Sequence, residues 1–157
     1  MRVGNNRFNN VGMNMEDLGI AKNRLGERAL TLSIVKDKQI LFETSSRGIS
    51  GFLKAIEELG ERLDGASVAD KIVGKAMAFL FLYAGIEGVY ASVMSREARE
   101  LFEKKPIHVE WGELVVHILD NCTPATCPFE KLAAGITDPA EAYKKLKALQ
   151  DSLKQRG

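Results

Sequence analysis

Apolar residues along this chain change spacing several times, and each change marks an element. From residue 15 onward Leu18, Ala21 and Leu25 recur at helical intervals, which predicts a helix over 15–28 that Gly19 and Gly26 weaken. Leu30, Leu32 and Ile34 then alternate with Thr31 and Ser33, and Ile40 and Phe42 fall on one side of 39–43. Two strands joined by a tight hairpin at Lys36-Asp37-Lys38 follow from that alternation. Positions 49, 52, 53, 56, 59 and 63 keep helical spacing until Asp64-Gly65 stops them. Ser67-Val68-Ala69-Asp70 has the form of a capping box, so the pattern predicts a second helix over 67–84, closed by Gly85 and apolar all round past its first two turns.

Residues 89–94 are apolar on both faces, as in a strand inside a largely parallel sheet. Ser95 then caps a charged helix that Pro106 terminates, and Ile107, Val109 and Trp111 alternate as another strand. A short helix is expected over 113–119 and a loop over 120–126. Cys127-Pro128 opens a short helix ended by Gly135, and Asp138-Pro139 opens a closing amphipathic helix with Tyr143, Leu146, Leu149 and Leu153 as its buried stripe. The resulting order predicts an α/β domain with a four-stranded mixed sheet and helices on both faces. Five of the first fourteen residues are Asn and show no apolar period, so 1–27 reads as a partly helical or mobile extension and 28–157 as the single domain.

Composition narrows the function classes more than it names one. A chain of 157 residues with 45% hydrophobic and 27% charged positions is sized and balanced for one folded domain. Its net charge of +1 supplies no field to hold nucleic acid or an anionic membrane, so any anion site has to be local. The most apolar run, 76–86, falls well short of the ~20 residues that cross a bilayer. Without a signal-like N-terminal run the expectation is a cytoplasmic protein, in which two cysteines, Cys122 and Cys127, are too few for a disulfide scaffold. Phe79, Phe81, Tyr83 and Trp111 do not interleave with a basic stripe and read as core rather than as a base-stacking platform.

The stretch Gly48-Ile49-Ser50-Gly51, the run Val68-Ala69-Asp70-Lys71-Ile72-Val73-Gly74-Lys75-Ala76 and the later Cys127-Pro128-Phe129-Glu130-Lys131-Leu132 resemble a family of small bacterial and archaeal proteins. That family is a domain of unknown function assigned to the cytidine-deaminase-like fold. The resemblance covers about residues 28–150 and implies a three-layer α/β/α sandwich without implying an activity. Zinc deaminases place H-A-E or C-A-E at the start of one core helix and P-C-x-x-C at the start of the next. On this resemblance Val68-Ala69-Asp70 stands in the first position and Met94-Ser95-Arg96-Glu97-Ala98 in the second, so the metal ligands are missing and only a carboxylate, Asp70, survives. The expectation is a protein with no metal and no cofactor.

Two helix starts, at Ser67 and Ser95, are then expected side by side at the carboxyl edge of the strands, where free N–H groups and the helix dipoles make an anion cradle. Lys71, Lys75 and Arg96 would add charge to it. The leading reading is a module that binds a nucleotide or another small anionic metabolite through Ser67, Lys71, Lys75, Ser95 and Arg96. Against it stands the plainer reading of Asp70 as a cap and of the basic residues as solvated. A different class is a metal-independent enzyme using Asp70 and Cys127, since a thiol at a helix N-cap is held toward its thiolate and His117 is the nearest base in sequence. A third is a structural subunit of a homo-oligomer. His117-x4-Cys122-x4-Cys127 is spaced too widely for a zinc ribbon, and His108 on its alternating strand reads as a structural histidine.

Overall fold

The computed structural model describes residues 2–118 and 127–156, with side chains over 15–118 and 127–154. Helix α1 runs Arg2–Glu27 as one piece, so the predicted 15–28 helix is its second half. Strands β1 (Leu32–Lys36) and β2 (Gln39–Thr44) form the expected hairpin, paired Lys36 to Gln39. Its two turn residues, Asp37 and Lys38, lie at φ 52° and 65°, the left-handed pair that a two-residue turn needs to follow strand twist. Buried Asp17 of α1 holds this turn: its carboxylate accepts from Asp37 N at 3.0 Å and Lys38 N at 2.9 Å. Helix α2 (Ser50–Leu59) follows, with a single 3-10 turn at Gly60–Leu63.

The expected helix over 67–84 is two elements, a strand β3 (Ser67–Val73) and a helix α3 (Lys75–Ala84). The Ser-x-x-Asp signature is a local preference for a helix start. It is overridden because Ser67–Val73 fills the slot between β1 and β4, antiparallel to the first and parallel to the second. β-branched Val68, Ile72 and Val73 suit that slot. The sheet therefore has five strands rather than four, in the order β2-β1-β3-β4-β5. Strand β4 (Gly88–Ser95) leads into α4 (Arg96–Glu103), and β5 is His108–Val115. The helix expected over 113–119 is not formed at its start, because Glu113, Leu114 and Val115 continue the ladder against Val93, Met94 and Ser95. The expected loop at 120–126 lies outside the described residues. Helices α5 (Pro128–Ala133) and α6 (Pro139–Arg156) close the chain where the Pro signals place them.

Helices cover both faces of the sheet. On one face α1 packs Ala21 and Leu25 against Val35 and Ala69, with Tyr90 beside them. The opposite face carries the main core, where Phe52, Phe79, Phe81 and Phe102 from α2, α3 and α4 sit on Ile34, Val68, Val89 and Ala91. Phe52 and Phe81 meet edge to face at 4.8 Å. Tyr83 and Trp111, expected in the core, are 42% and 38% exposed, and Tyr83 instead stacks on Tyr143 of α6. Within the α6 stripe Leu146 is buried and Leu153 exposed. No helix among the described residues is long and apolar enough to cross a membrane.

Candidate functional site

β2, β3, β4 and β5 all run in one direction, so α2, α3 and α4 each begin at the carboxyl edge of the sheet. Three sets of unpaired helix N–H groups thus gather along one edge, and what meets each set differs. At α4, Ser95 is the N-cap and its Oγ accepts from Ala98 N at 3.1 Å, as its sequence position foretells. At α3 no local side chain caps the first turn. Glu130 of α5 reaches across instead and accepts from Lys75 N at 2.8 Å and Ala76 N at 3.0 Å. Its carboxylate occupies the space where any side chain at Gly74 would stand. Burial pushes the Glu130 carboxyl above its ordinary range, with the Ala76 and Lys75 N–H groups pulling the other way and Glu97 adding repulsion.

At α2 nothing comparable is present. Ile49 is the N-cap and offers no side-chain acceptor, while Ser50 Oγ turns back to Arg47 O at 3.2 Å. The approach from β2 is lined with hydroxyls: Thr31 Oγ1 donates to Ser46 O at 2.6 Å, and Ser46 N donates to Thr44 Oγ1 at 3.1 Å. Arg47 is exposed and makes no ion pair among the described residues. Gly51 lets this first turn descend onto the sheet, since a Cβ there would meet Thr44 Cγ2 at 2.6 Å and Leu32 Cδ2 at 3.7 Å.

Asp70 lies one strand away from that turn, paired with Leu32 on β1 and Ala91 on β4. Two positions after Val68, it faces the α2–α3 core, whereas Ala69 faces α1. It is 6% exposed. Oδ1 accepts from Ile72 N at 3.2 Å, which bends the carboxyl toward the carboxyl edge, and Oδ2 is buried without a hydrogen-bond partner among the described residues. After Asp70 the inward alternation slips: Ile72 is 46% exposed and Val73 is the next core residue. Burial pushes the Asp70 carboxyl up to about 8 against the opposing pull of the Ile72 and Lys71 N–H groups.

These positions rearrange the sequence-derived site. Ser67 is buried at the start of β3, opposite Gly88, and Ser95 ends β4, so the two expected cap residues stand at opposite edges, about 23 Å apart at strand rise. Lys71 and Asp70 are strand residues rather than first-turn residues. Val68-Ala69-Asp70 therefore does not occupy a helix start; Ile49-Ser50-Gly51 and Gly74-Lys75-Ala76 do. Lys75 lies at the α3 start as expected, its Nζ 3.4 Å from Ala134 O. Arg96 is exposed at the first position of α4. Cys127 is the N-cap of α5 with a free thiol that caps no N–H. Glu130, one turn on, spans to α3, and among the described residues no hydrogen bond joins Cys127 to Asp70. His117 Nδ1 stands 4.0 Å from Glu97 Oε1. Cys122, and with it any Cys122 to Cys127 bridge, lies outside the described residues. His108 is satisfied by Glu110 at 2.7 Å, and Tyr90 packs toward α1 with Lys22 over its ring. Among the described residues no group of three His, Cys, Asp or Glu side chains is gathered as metal ligands would be. Sequence reading missed Glu130 and the α2 turn; the Gly48-to-Gly51 run was the one local signal for the latter.

The sequence model of the family described as "TM1506: Domain of unknown function (DUF1893)" matches residues 20–150. A solved structure, that of a DUF1893 family protein (TM1506) from Thermotoga maritima, superposes with a TM-score of 0.78 at 26% identity, over 85% of this chain and 89% of that one. Among curated proteins no relative matches the chain.

Proposed function

Since the chain belongs to the DUF1893 family, whose function is unknown, we propose from its own geometry that it is a metal-independent domain binding a small anionic ligand at the carboxyl edge of the sheet. One observation carries the reading. Of the three core helices that begin there, α3 and α4 have first-turn N–H groups met by Glu130 and Ser95, whereas among the described residues no side chain meets those of α2. Glu130 supports it further: a carboxyl drawn 55 positions across the chain meets the first-turn N–H groups of α3, the same kind of contact that an anionic ligand would make at α2. The cradle moves accordingly from the Ser67 pair to the loop 44–51, with Arg47 as its nearest free charge and Lys71 and Arg96 as flanking charges. A cytidine-deaminase-like scaffold is the finer reading of the fold, supported by helices on both faces of a mixed sheet.

Thermal-shift titration with inorganic phosphate, pyrophosphate and ATP tests this function. A bound anion at 100 times its Kd adds about 2.7 kcal/mol to stability. The expected result is a raised melting temperature with at least one of them that Arg47→Ala diminishes. No shift with any of the three overturns the reading.

A further inference from the structure

Resting on that reading, we propose that Asp70 is the recognition group for a nitrogen-borne hydrogen-bond donor on the same ligand, which therefore carries an amino group close to its anionic group. The argument starts from the unpartnered oxygen. Oδ2 of Asp70 is buried with no partner among the described residues, and an orphaned carboxyl oxygen is among the costlier things a core can hold. No basic side chain among the described residues acts on it. Among the described residues, backbone N–H groups of Ile72 and Lys71 are all that favour its charged form, so none of these residues supplies a cation for it. A carboxyl present only as a cap would spend both oxygens on helix N–H groups, as Glu130 does; Asp70 spends one oxygen on its own strand and leaves the other buried and unpaired among the described residues.

Its position ties it to the α2 turn. Leu32, its neighbour on β1, touches the Cβ position of Gly51 in the first turn of α2, and adjacent strands are about 4.8 Å apart. Ala91 on the other side is small, and the bend toward Ile72 N turns the carboxyl to the edge where α2 and α3 begin. One ligand a few bonds long can therefore place an anionic group on the Ser50, Gly51 and Phe52 N–H groups and an amino group on Asp70 Oδ2. An anion alone would leave Oδ2 unmet, and an amine alone would leave the α2 turn unmet.

Titration calorimetry with O-phosphoethanolamine and with ethyl phosphate, which lacks only the amino group, separates the two claims. At pH 8.5, where the Asp70 carboxyl is ionised, the full chain is expected to bind O-phosphoethanolamine at least about tenfold tighter, the factor a charged hydrogen bond supplies. Asp70→Asn, nearly isosteric, is expected to keep ethyl phosphate binding and lose that preference. Equal binding of both probes by the wild type, or a preference that survives in Asp70→Asn, overturns this inference and leaves the anion site standing. Binding of neither probe overturns both.

Discussion

Glu130 and Lys75 are joined by a 2.8 Å hydrogen bond from the Lys75 backbone N–H to the Glu130 carboxylate, so one helix is capped by a residue of another. The same carboxylate takes Ala76 N, and Lys75 Nζ reaches Ala134 O at the far end of α5. α5 is thereby fastened to α3 by polar contacts as well as by Phe129, Leu132 and Ala133 in the core.

Removing that cap should cost what caps cost. Glu130→Ala is expected to destabilise the fold by about 1–2 kcal/mol, since it leaves two N–H groups of α3 without their acceptor. Urea denaturation measures it. A change below a few tenths of a kcal/mol would mean that water replaces the carboxylate at no loss.

Asp70 sets a pH dependence whose sign follows from its raised pKa. Its ordinary value is 3.8 and its folded value about 8, so between them the folded chain holds the extra proton and stability falls as pH rises through that window. The contribution is intact below pH 4 and fully lost above pH 8. Asp70→Asn removes the titration, so its stability relative to wild type should improve by on the order of a few kcal/mol from pH 4 to pH 8.5. Urea melts of both proteins at the two pH values give the difference, in which other titrating groups cancel. A flat difference would show that Asp70 ionises as an ordinary surface acid does.

Gly51 offers a test with a reversal of sign. Alanine gains up to roughly 1 kcal/mol over glycine inside a helix and less in its first turn, but here its methyl would meet Thr44 Cγ2, and overpacking costs about 1–3 kcal/mol. Thr44 is β-branched and cannot swing aside freely. Gly51→Ala alone should therefore destabilise, and in a Thr44→Ser background, where Cγ2 is gone, the same change should stabilise. Thermal melts of the four proteins of that cycle decide it.

Zinc should be absent from the purified protein. The core helices start at Ile49-Ser50-Gly51, Gly74-Lys75-Ala76 and Ser95-Arg96-Glu97, and none of these offers the imidazole or thiolate ligands that a catalytic zinc requires. Elemental analysis should find less than about 0.1 equivalent after dialysis, where a tight structural site would hold one. Stoichiometric zinc would require a ligand set built from residues elsewhere in the chain.

The legible parts of this fold are those whose cause is local. Lys36-Asp37-Lys38 between two alternating runs, the apolar period of α2, Ser95 as a cap and the Pro-led starts of α5 and α6 each carry their signal within a few residues. β3 is misread for the converse reason. Ser67 and Asp70 match a helix start in isolation, and only the vacancy between β1 and β4, closed by residues 32–35 and 88–94, makes the segment a strand. Glu130 was invisible as a partner of α3, because a Glu three residues after Cys127 reads as a cap for its own helix. That helix starts gather at the carboxyl edge follows from α/β topology alone, while the β3 misreading put Ser67 among them in place of Ile49 and Gly74.

The Asp17 clamp on the hairpin makes the turn a gauge of a distant event. Amide hydrogens at an exposed two-residue turn ordinarily exchange with solvent almost freely, because little has to open to release them. Here the Asp37 and Lys38 amides are both bound to a carboxylate carried by α1. Their deuterium uptake is therefore paced by how often α1 lifts from the sheet, an opening that need not disturb the ladder between β1 and β3. Two surface amides thus report the undocking of α1 separately from the unfolding of the core.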